Sequence, residues 1–320
     1  MERQERYICV IGASNWDMFT YCDRIPVIGE TIKGTDFKVS FGGKAANQAV
    51  QASLLNTKSL GDDVFGNNTL NNFKIRGVSV EHVNIVPGVP SGCASITVDK
   101  EGSNNIIIVG GSNDLLGEQD VIEATKTIQN ASYLLCQLEV NLKTTLKALS
   151  IAKESKCKTI LNVSPVTNDT EMLMNMLGCV DILIVNEVEL IKLSNDHQVD
   201  VENLESVHHG ARELLRLHIM VSDVIVTLGA KGCVLVNRLS IDKYQHIKHR
   251  DNATMGKPVV DTTGAGDSFI GALAHYLTTS MLPLAESIER ACNVAAICVT
   301  RYGTQTSYAT FLELSPEDQI

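Results

Sequence analysis

No apolar run in this 320-residue chain approaches the roughly 20 residues that a membrane-spanning helix requires. There is no Cys-x-x-Cys pair. Nine cysteines are scattered singly, which points to free thiols in a reducing compartment rather than a disulfide framework or a zinc site. Met1 to Arg6 lack the apolar core and cleavage site of a signal peptide and lead straight into strand-like Tyr7 to Ile11. A cytoplasmic location is therefore expected, with nuclear access open. Positive charge is in short supply: Lys and Arg total 27 against 37 Asp and Glu, a net charge of -10. Nucleic acid and anionic membrane surfaces are accordingly not expected as partners. Linkers, repeats and low-complexity tracts are missing. So are the Walker loop, since Gly42-Gly43-Lys44 is followed by Ala45, and the dinucleotide pattern G-x-G-x-x-G. A nucleotide enzyme built on this chain needs another phosphate cradle.

What is present is ordinary globular composition, 44% hydrophobic and 20% charged, enough for a full core. Short β-rich runs (Tyr7 to Ile11, Tyr133 to Leu138, Thr159 to Val163, Ile182 to Val185, Val224 to Leu228) alternate with helical stretches such as Leu142 to Glu154 and Leu204 to Leu217. That alternation predicts a mostly parallel sheet covered by helices on both faces, a Rossmann-like three-layer α/β/α fold. Ligands in such folds bind at the carboxyl ends of the strands. Residues near 17–41 and 91–110 break the pattern and read as hairpin strands of a small extra sheet, with Asp99-Lys100-Glu101-Gly102 as a turn. The expectation is one domain over 1–320 carrying this β appendage.

The most informative segment runs from Val259 to Leu273. An apolar pair, read as the end of a strand, enters a polar glycine-rich turn. A helix follows, with Phe269, Ile270, Leu273 and Leu277 on one face. The first turn of a helix has unpaired N–H donors and a positive dipole end, so Gly264, Ala265 and Gly266 form a candidate anion cradle. Asp267 places a carboxylate where it can take a proton from a hydroxyl attacking a phosphoryl group. Taken alone, the same string reads equally as an N-capping Asp on a glycine turn. Gly42-Gly43-Lys44 to Asn47, and Asn15 with Asp17, suit a polyhydroxylated ligand, or are a capped loop and a surface turn. Glu139, Asn186 to Glu189 and Thr227 to Gly232 follow successive strands, as site residues or as helix caps. His208 and His209 read as solvated, and Cys292 and Cys298 as small core side chains.

Together these pieces resemble the ribokinase family of carbohydrate kinases, from about Tyr7 to Tyr308. The stretch from Asp261 to Ala274 matches the family's C-terminal signature without a gap. G-G-K-A-A-N-Q at Gly42 to Gln48, Q-L-E ending at Glu139, N-x-x-E from Asn186, T-L-G-A-K-G from Thr227 and the tail Arg301 to Ser307 agree with it. The resemblance implies ATP-dependent phosphorylation of D-ribose at its 5-hydroxyl, with another sugar or nucleoside as the alternative substrate. It implies Asp267 as base and the N–H groups of Gly264, Ala265 and Gly266 as anion hole. Asn15, Asp17, Gly43, Lys44, Asn47 and Glu139 become sugar contacts. Asn186, Thr227, Gly229, Gly232 and Asn293 become nucleotide contacts. Glu189 would meet magnesium through water. Asp261, Thr263, Cys298, Arg301, Gly303 and Ser307 would form the loops around a monovalent cation, normally potassium. The β appendage would be a lid over the sugar, pairing two subunits into a homodimer.

Three departures from the family stand out. Leu54 to Leu60 is shorter than usual and lacks a β run, which opens a second reading as a catalytically impaired regulatory homologue. Ala45 replaces a usual glycine, costing about 1 kcal/mol if the backbone there needs φ > 0. The spacing from Asn293 to Gly303 is also shorter than the family pattern.

Overall fold

Apolar side chains on both faces of the central strands decide the architecture. The structure is a computed structural model describing residues 6–54, 64–83, 85–101, 103–194, 199–250, 253–254 and 256–319. The chain begins with β1 (Ile8–Ile11), β2 (Asn15–Tyr21), β3 (Asp36–Gly42), α1 (Lys44–Leu54), α2 (Val64–Ile75), β4 (Gly92–Val98) and β5 (Asn104–Val109). It continues through α3 (Glu118–Glu123), α4 (Thr125–Asn130), β6 (Tyr133–Cys136), α5 (Leu142–Lys153), β7 (Lys158–Asn162), α6 (Thr170–Leu177), β8 (Ile182–Asn186), α7 (Glu187–Ser194) and α8 (Leu204–Leu217). It closes with β9 (Asp223–Thr227), β10 (Cys233–Asn237), β11 (Gln245–Ile247), α9 (Ala265–His275) and α10 (Leu284–Cys298).

Among the described residues the main sheet has seven strands in the order β1-β6-β7-β8-β9-β10-β11. β1, β6, β7, β8 and β9 pair in parallel, and β10 and β11 add antiparallel pairings at one edge. Leu134, Leu161, Leu183, Val224 and Val226 point to one face and bury against Leu149, Met176 and Leu214 of α5, α6 and α8. Their neighbours Leu135, Ile160, Ile182, Ile184 and Ile225 point to the other face and bury against Phe269, Ile270, Leu273, Ile288 and Val294 of α9 and α10. Each such Leu or Ile contributes about 1.5–3 kcal/mol by leaving water. The expected three-layer α/β/α arrangement follows, with every predicted parallel strand in place to within two residues.

The small sheet has the order β3-β2-β4-β5. Its strands fall within or beside the two segments singled out as hairpins. Asp99 closes the β4–β5 turn by accepting the backbone N–H groups of Glu101 and Ser103 on Oδ1, at 3.0 and 2.8 Å. Since β1 ends at Ile11 and β2 begins at Asn15, the small sheet springs directly from a carboxyl end of the large one.

Some expectations change. Val259 and Val260 are not in a strand. They are 60% and 38% exposed, and the N–H of Val260 bonds the carbonyl of Val299 at 2.8 Å, at the end of α10, instead of a ladder partner. His208 is buried, its Nε2 3.0 Å from the carbonyl of Ile241, because it lies on the inner face of α8. Ala45 escapes the expected strain: the left-handed backbone falls on Gly43 (φ 86°), where a Cβ would stand 2.7 Å from the carbonyl oxygen of Ala13. Residues 55–60 of the shortened segment lie outside the described residues. Among those described, β1 has a ladder partner, β6, on one side, and a cavity of about 630 Å³ bordered by Cys9, Ala46, Ala49 and Phe73 lies beside it.

Candidate active site

The helix α9 starts where the two sheets meet. Gly264 (φ 75°) caps it, the N–H of Ser268 closes the first turn on the carbonyl of Gly264 at 2.8 Å, and Asp267 lies in that first turn. The N–H of Ala265 is partly engaged, 3.3 Å from the carbonyl of Thr262. A Cβ added at Gly266 would meet nothing within 4 Å, so this part of the turn faces open space.

What brings Asp267 to a partner is the packing of α1 on α9. At Gly271 a side chain would sit 2.5 Å from the backbone oxygen of Gln48, so only glycine lets the helices approach this closely. One consequence is that Asn47 Nδ2 donates to Asp267 Oδ2 at 3.0 Å, and Gln48 Nε2 to Oδ1 at 2.9 Å.

Beside Asp267 lies a cluster of charge, with Asp17 buried and Lys44 and Glu139 half-buried. Asn15 and Asp17 share one face of β2 and are both buried, at the mouth of the small sheet. Asn15 Oδ1 accepts from Asn113 Nδ2 at 2.8 Å. The backbone N–H of Lys44 donates to Glu139 Oε2 at 2.7 Å, tying the α1 entry to the end of β6. Burial, with Glu139 and Asp267 as neighbouring acids, pushes the Asp17 carboxyl up to about 7, against the opposing pull of Lys44. Burial also raises Glu139, with Lys44 and its N–H pulling the other way. Burial disfavours the Lys44 ammonium, but Asp267, Glu139, Glu189 and Asp17 outweigh it and hold the lysine above its ordinary value. The arrangement is a pocket of polar groups able to grip several hydroxyls around one cation.

On the other side of Asp267 a cavity of about 620 Å³ opens at the ends of β8 and β9, within the size range of small-molecule sites. Asn186, Glu189, Thr227, Gly229 and Gly232 line it, together with Lys44, Gly264, Ala265, Gly266 and Asp267. The N-x-x-E motif serves both readings offered above. Asn186 Oδ1 accepts the N–H of Glu189 and Glu189 Oε2 accepts the N–H of Asn186, each at 2.9 Å, a reciprocal helix cap that also faces the cavity. Burial raises the Glu189 carboxyl, with hydrogen bonds from Asn186 and Ser164 opposing. Asn293 is not among the residues lining this cavity. Its Oδ1 accepts the N–H of Arg250 at 2.9 Å and its Nδ2 lies 3.2 Å from Asp318, while Cys292, Ala295 and Ala296 on the same helix line the wall.

Behind the turn, two loops are clipped together. Asp261 Oδ1 accepts the N–H of Thr263 at 2.9 Å and Oδ2 that of Gly303 at 2.8 Å. Ser307 Oγ donates to the carbonyl of Thr304 at 2.7 Å and sits 3.0 Å from Cys298 Sγ. Tyr308 reaches the carbonyl of Gly264 at 3.2 Å, linking these loops to the helix start. Arg301 turns outward to Glu313 at 2.8 Å. Among the described residues no group of three or more His, Cys, Asp or Glu side chains is placed to hold a metal ion.

Several residues at the site were given no role from the sequence: Asn113 behind Asn15 and Ser164 beside Glu189, and, although they lie inside the matched motifs, Gln48 and Gln137 behind Asp267 and Gln305 behind Asn47. Gln48 had the best chance of notice, as a buried amide beside Asn47 on an alanine-rich helix. The others act across long sequence separations.

A family model described as pfkB family carbohydrate kinase matches residues 5–310. A ribokinase of Dictyostelium discoideum is 53% identical over 97% of this chain and 100% of its own length. The ribokinase of Mus musculus is 36% identical over 96% of this chain and 93% of its own. The solved structure of Arabidopsis thaliana ribokinase complexed with ribose and ATP superposes with a TM-score of 0.82 at 29% identity, covering 95% of each chain. With the α/β layers, the glycine turn and the acid at its helix start already in place, these matches establish that the chain belongs to the pfkB family of carbohydrate kinases.

Proposed function

We propose that this chain transfers the γ-phosphoryl group of ATP to the 5-hydroxyl of D-ribose. The carrying observation is the position of Asp267: in the first turn of α9, between the buried polar cluster and the 620 Å³ cavity. The names of the Dictyostelium and mouse relatives, and the ribose and ATP of the Arabidopsis structure, support ribose as acceptor and ATP as donor. In this reading Asn15, Asp17, Gly43, Lys44, Asn47 and Glu139 hold the sugar with its 5-hydroxyl toward Asp267, which takes the proton as that oxygen attacks phosphorus. Negative charge growing on the transferred group meets the N–H groups of Gly264, Ala265 and Gly266 and the ammonium of Lys44. Asn186, Thr227, Gly229 and Gly232 line the nucleotide's place. Asn293 acts instead from behind the wall.

Two ions fit the donor chemistry. Glu189, a buried carboxylate facing the cavity with one oxygen on a backbone N–H, suits magnesium held through water, which would neutralise phosphate charge. The loops of Asp261, Thr263, Cys298, Arg301, Gly303 and Ser307 offer mainly oxygen donors, suited to potassium. We read 1–320 as one working unit in the cytoplasm, with the small sheet as a lid. Ile106, Ile107, Ile108 and Val109 on β5, and Phe37 and Val39 on β3, are exposed. A second copy covering them would give a homodimer.

A coupled ADP-release assay over ribose, deoxyribose, fructose and adenosine tests the reading. Ribose should have the highest kcat/KM, since buried polar groups penalise a substrate that leaves them unpaired. Equal efficiency on adenosine would move the protein to nucleosides, and no turnover with any acceptor would leave the regulatory reading.

A further inference from the structure

A carboxylate only accepts hydrogen bonds, so each amide facing Asp267 must present its NH₂ group. The oxygens of those amides then point away and need donors of their own. Both find one. Gln48 Oε1 accepts from Gln137 Nε2 at 2.6 Å, and Asn47 Oδ1 accepts from Gln305 Nε2 at 3.0 Å. The second chain has one more link, Asn72 Nδ2 to Gln305 Oε1 at 2.9 Å. Each oxygen of Asp267 thus ends a hydrogen-bonded series of amides, and all members run in the same donor-to-acceptor sense. Gln48 and Gln137 are fully buried, Gln305 is 1% exposed, and neither Gln137 nor Gln305 lines the cavity. Burying amides costs free energy unless they are paired, and Gln137 Oε1 is left without a partner. Packing α1 against α9 does not call for an amide at any of these positions.

We propose that Gln48, Gln137, Gln305 and Asn72 are positioning residues: two directional amide chains, one per oxygen, lock the plane and rotamer of the Asp267 carboxylate for proton abstraction. The proposal rests on Asp267 as the base. Without the chains the carboxylate turns about its side-chain torsions, and fewer encounters place an oxygen along the proton's path.

The test is a cycle of variants assayed for kcat and both KM values, with kcat normalised to nucleotide-binding stoichiometry so that misfolded protein does not count. Gln48→Met, which keeps volume and removes the amide, should lower kcat roughly 10–100-fold, the loss of one hydrogen bond to a charged group, and leave both KM values unchanged. Gln137→Met should lower kcat less. The double variant should lose no more than Gln48→Met alone, because Gln137 acts only through Gln48. Gln48→Met with Gln305→Met should lose more than either alone, because each chain holds its own oxygen of Asp267. Additive losses for Gln48 and Gln137, or a wild-type kcat in Gln48→Met, overturn the proposal. If Gln48→Met does not fold, Gln305→Met decides alone: an unchanged normalised kcat overturns it. Asp267→Asn is the control. An active Asp267→Asn removes the base assignment itself, whereas an inactive one beside a fully active Gln48→Met removes only the chains.

Discussion

The two sides of Asp267 are made of opposite materials. The proposed sugar side brings buried Asp17 of β2 beside half-buried Glu139 and Lys44, the Lys44 N–H tying the start of α1 to Glu139 beyond β6. The proposed nucleotide side is lined mainly by glycines, a threonine, an asparagine cap and the start of a helix, with Lys44, Glu187 and Glu189 as charged members. Buried charge reads a ligand by the exact number and place of its hydroxyls, since each unmet partner costs about 1–3 kcal/mol. Backbone and dipole hold phosphate without regard to what carries it. In the proposed reading substrate choice belongs to the first side and phosphate handling to the second, and the two should fail separately.

The largest effect is expected where the sides meet. Asp267→Asn should lower kcat by roughly 10²–10⁴-fold, the usual worth of a general base, while ribose and ATP still bind. Isothermal titration with each ligand, beside the turnover assay, checks the separation; loss of both affinities would make Asp267 a structural post.

Next comes Glu139→Gln, on the sugar side. It keeps the shape but takes a charge from the partners of Lys44. The ribose KM should rise roughly 10–100-fold, on the scale of a charged hydrogen bond, with the ATP KM unchanged. A change in both would dissolve the division between the sides.

pH should divide them too. The Asp17 carboxyl sits at about 7, raised by burial and by Glu139 and Asp267. A raised acid means the folded protein without sugar holds a proton that the unfolded chain has released. Asp17 therefore costs stability as pH rises from its unfolded value, 3.8, through about 7. Sugar hydroxyls donating to the carboxylate favour its ionised form. The ribose KM should fall as pH rises through about 7, the ATP KM should not follow, and Asp17→Asn should flatten the ribose curve.

How much of this could be read in advance depends on distance along the chain. The glycine turn and Asp267 lie within one helix turn of each other, so their chemistry is written in one string. Short apolar β-rich runs alternating with helical stretches likewise located the parallel sheet, because each run is local in the chain. The amides behind Asp267 lie in the matched motifs, but their pairing was hidden, since Gln48 and Gln137 meet across 89 positions and Gln305 and Asn47 across 258. Val259 and Val260 misled for the converse reason: β propensity supplies no ladder partner, and the carbonyl of Val299 took the N–H of Val260.

A smaller effect is expected behind the turn. Asp261 already ties its loop to Gly303, and Tyr308 ties the tail to Gly264. A potassium ion between these loops would steady a turn that is largely built. Potassium should raise kcat several-fold over sodium or lithium at equal ionic strength, and Asp261→Asn should erase the difference. Identical rates in all three salts would leave the kinase and remove the ion.

Asn293 should affect turnover least. The family resemblance set it beside the nucleotide, but its side chain bonds the N–H of Arg250 and approaches Asp318. Both partners belong to a buried polar group. Asp318 is 5% exposed and sits 3.2 Å from the guanidinium of Arg250, which also reaches Glu289 at 2.9 Å. Truncation to Ala leaves the Arg250 N–H without its acceptor, at a cost of about 1–3 kcal/mol, while Asp318 keeps Arg250 and Ser315 as donors. In a chain of this size that is a fall in Tm of a few degrees. The ATP KM should not move, because Cys292, Ala295 and Ala296 still form the wall. A thermal shift without a kinetic one keeps Asn293 in the scaffold. A raised ATP KM with an unchanged Tm would return it to the nucleotide side, which would then read its ligand by a side-chain amide as well as by backbone.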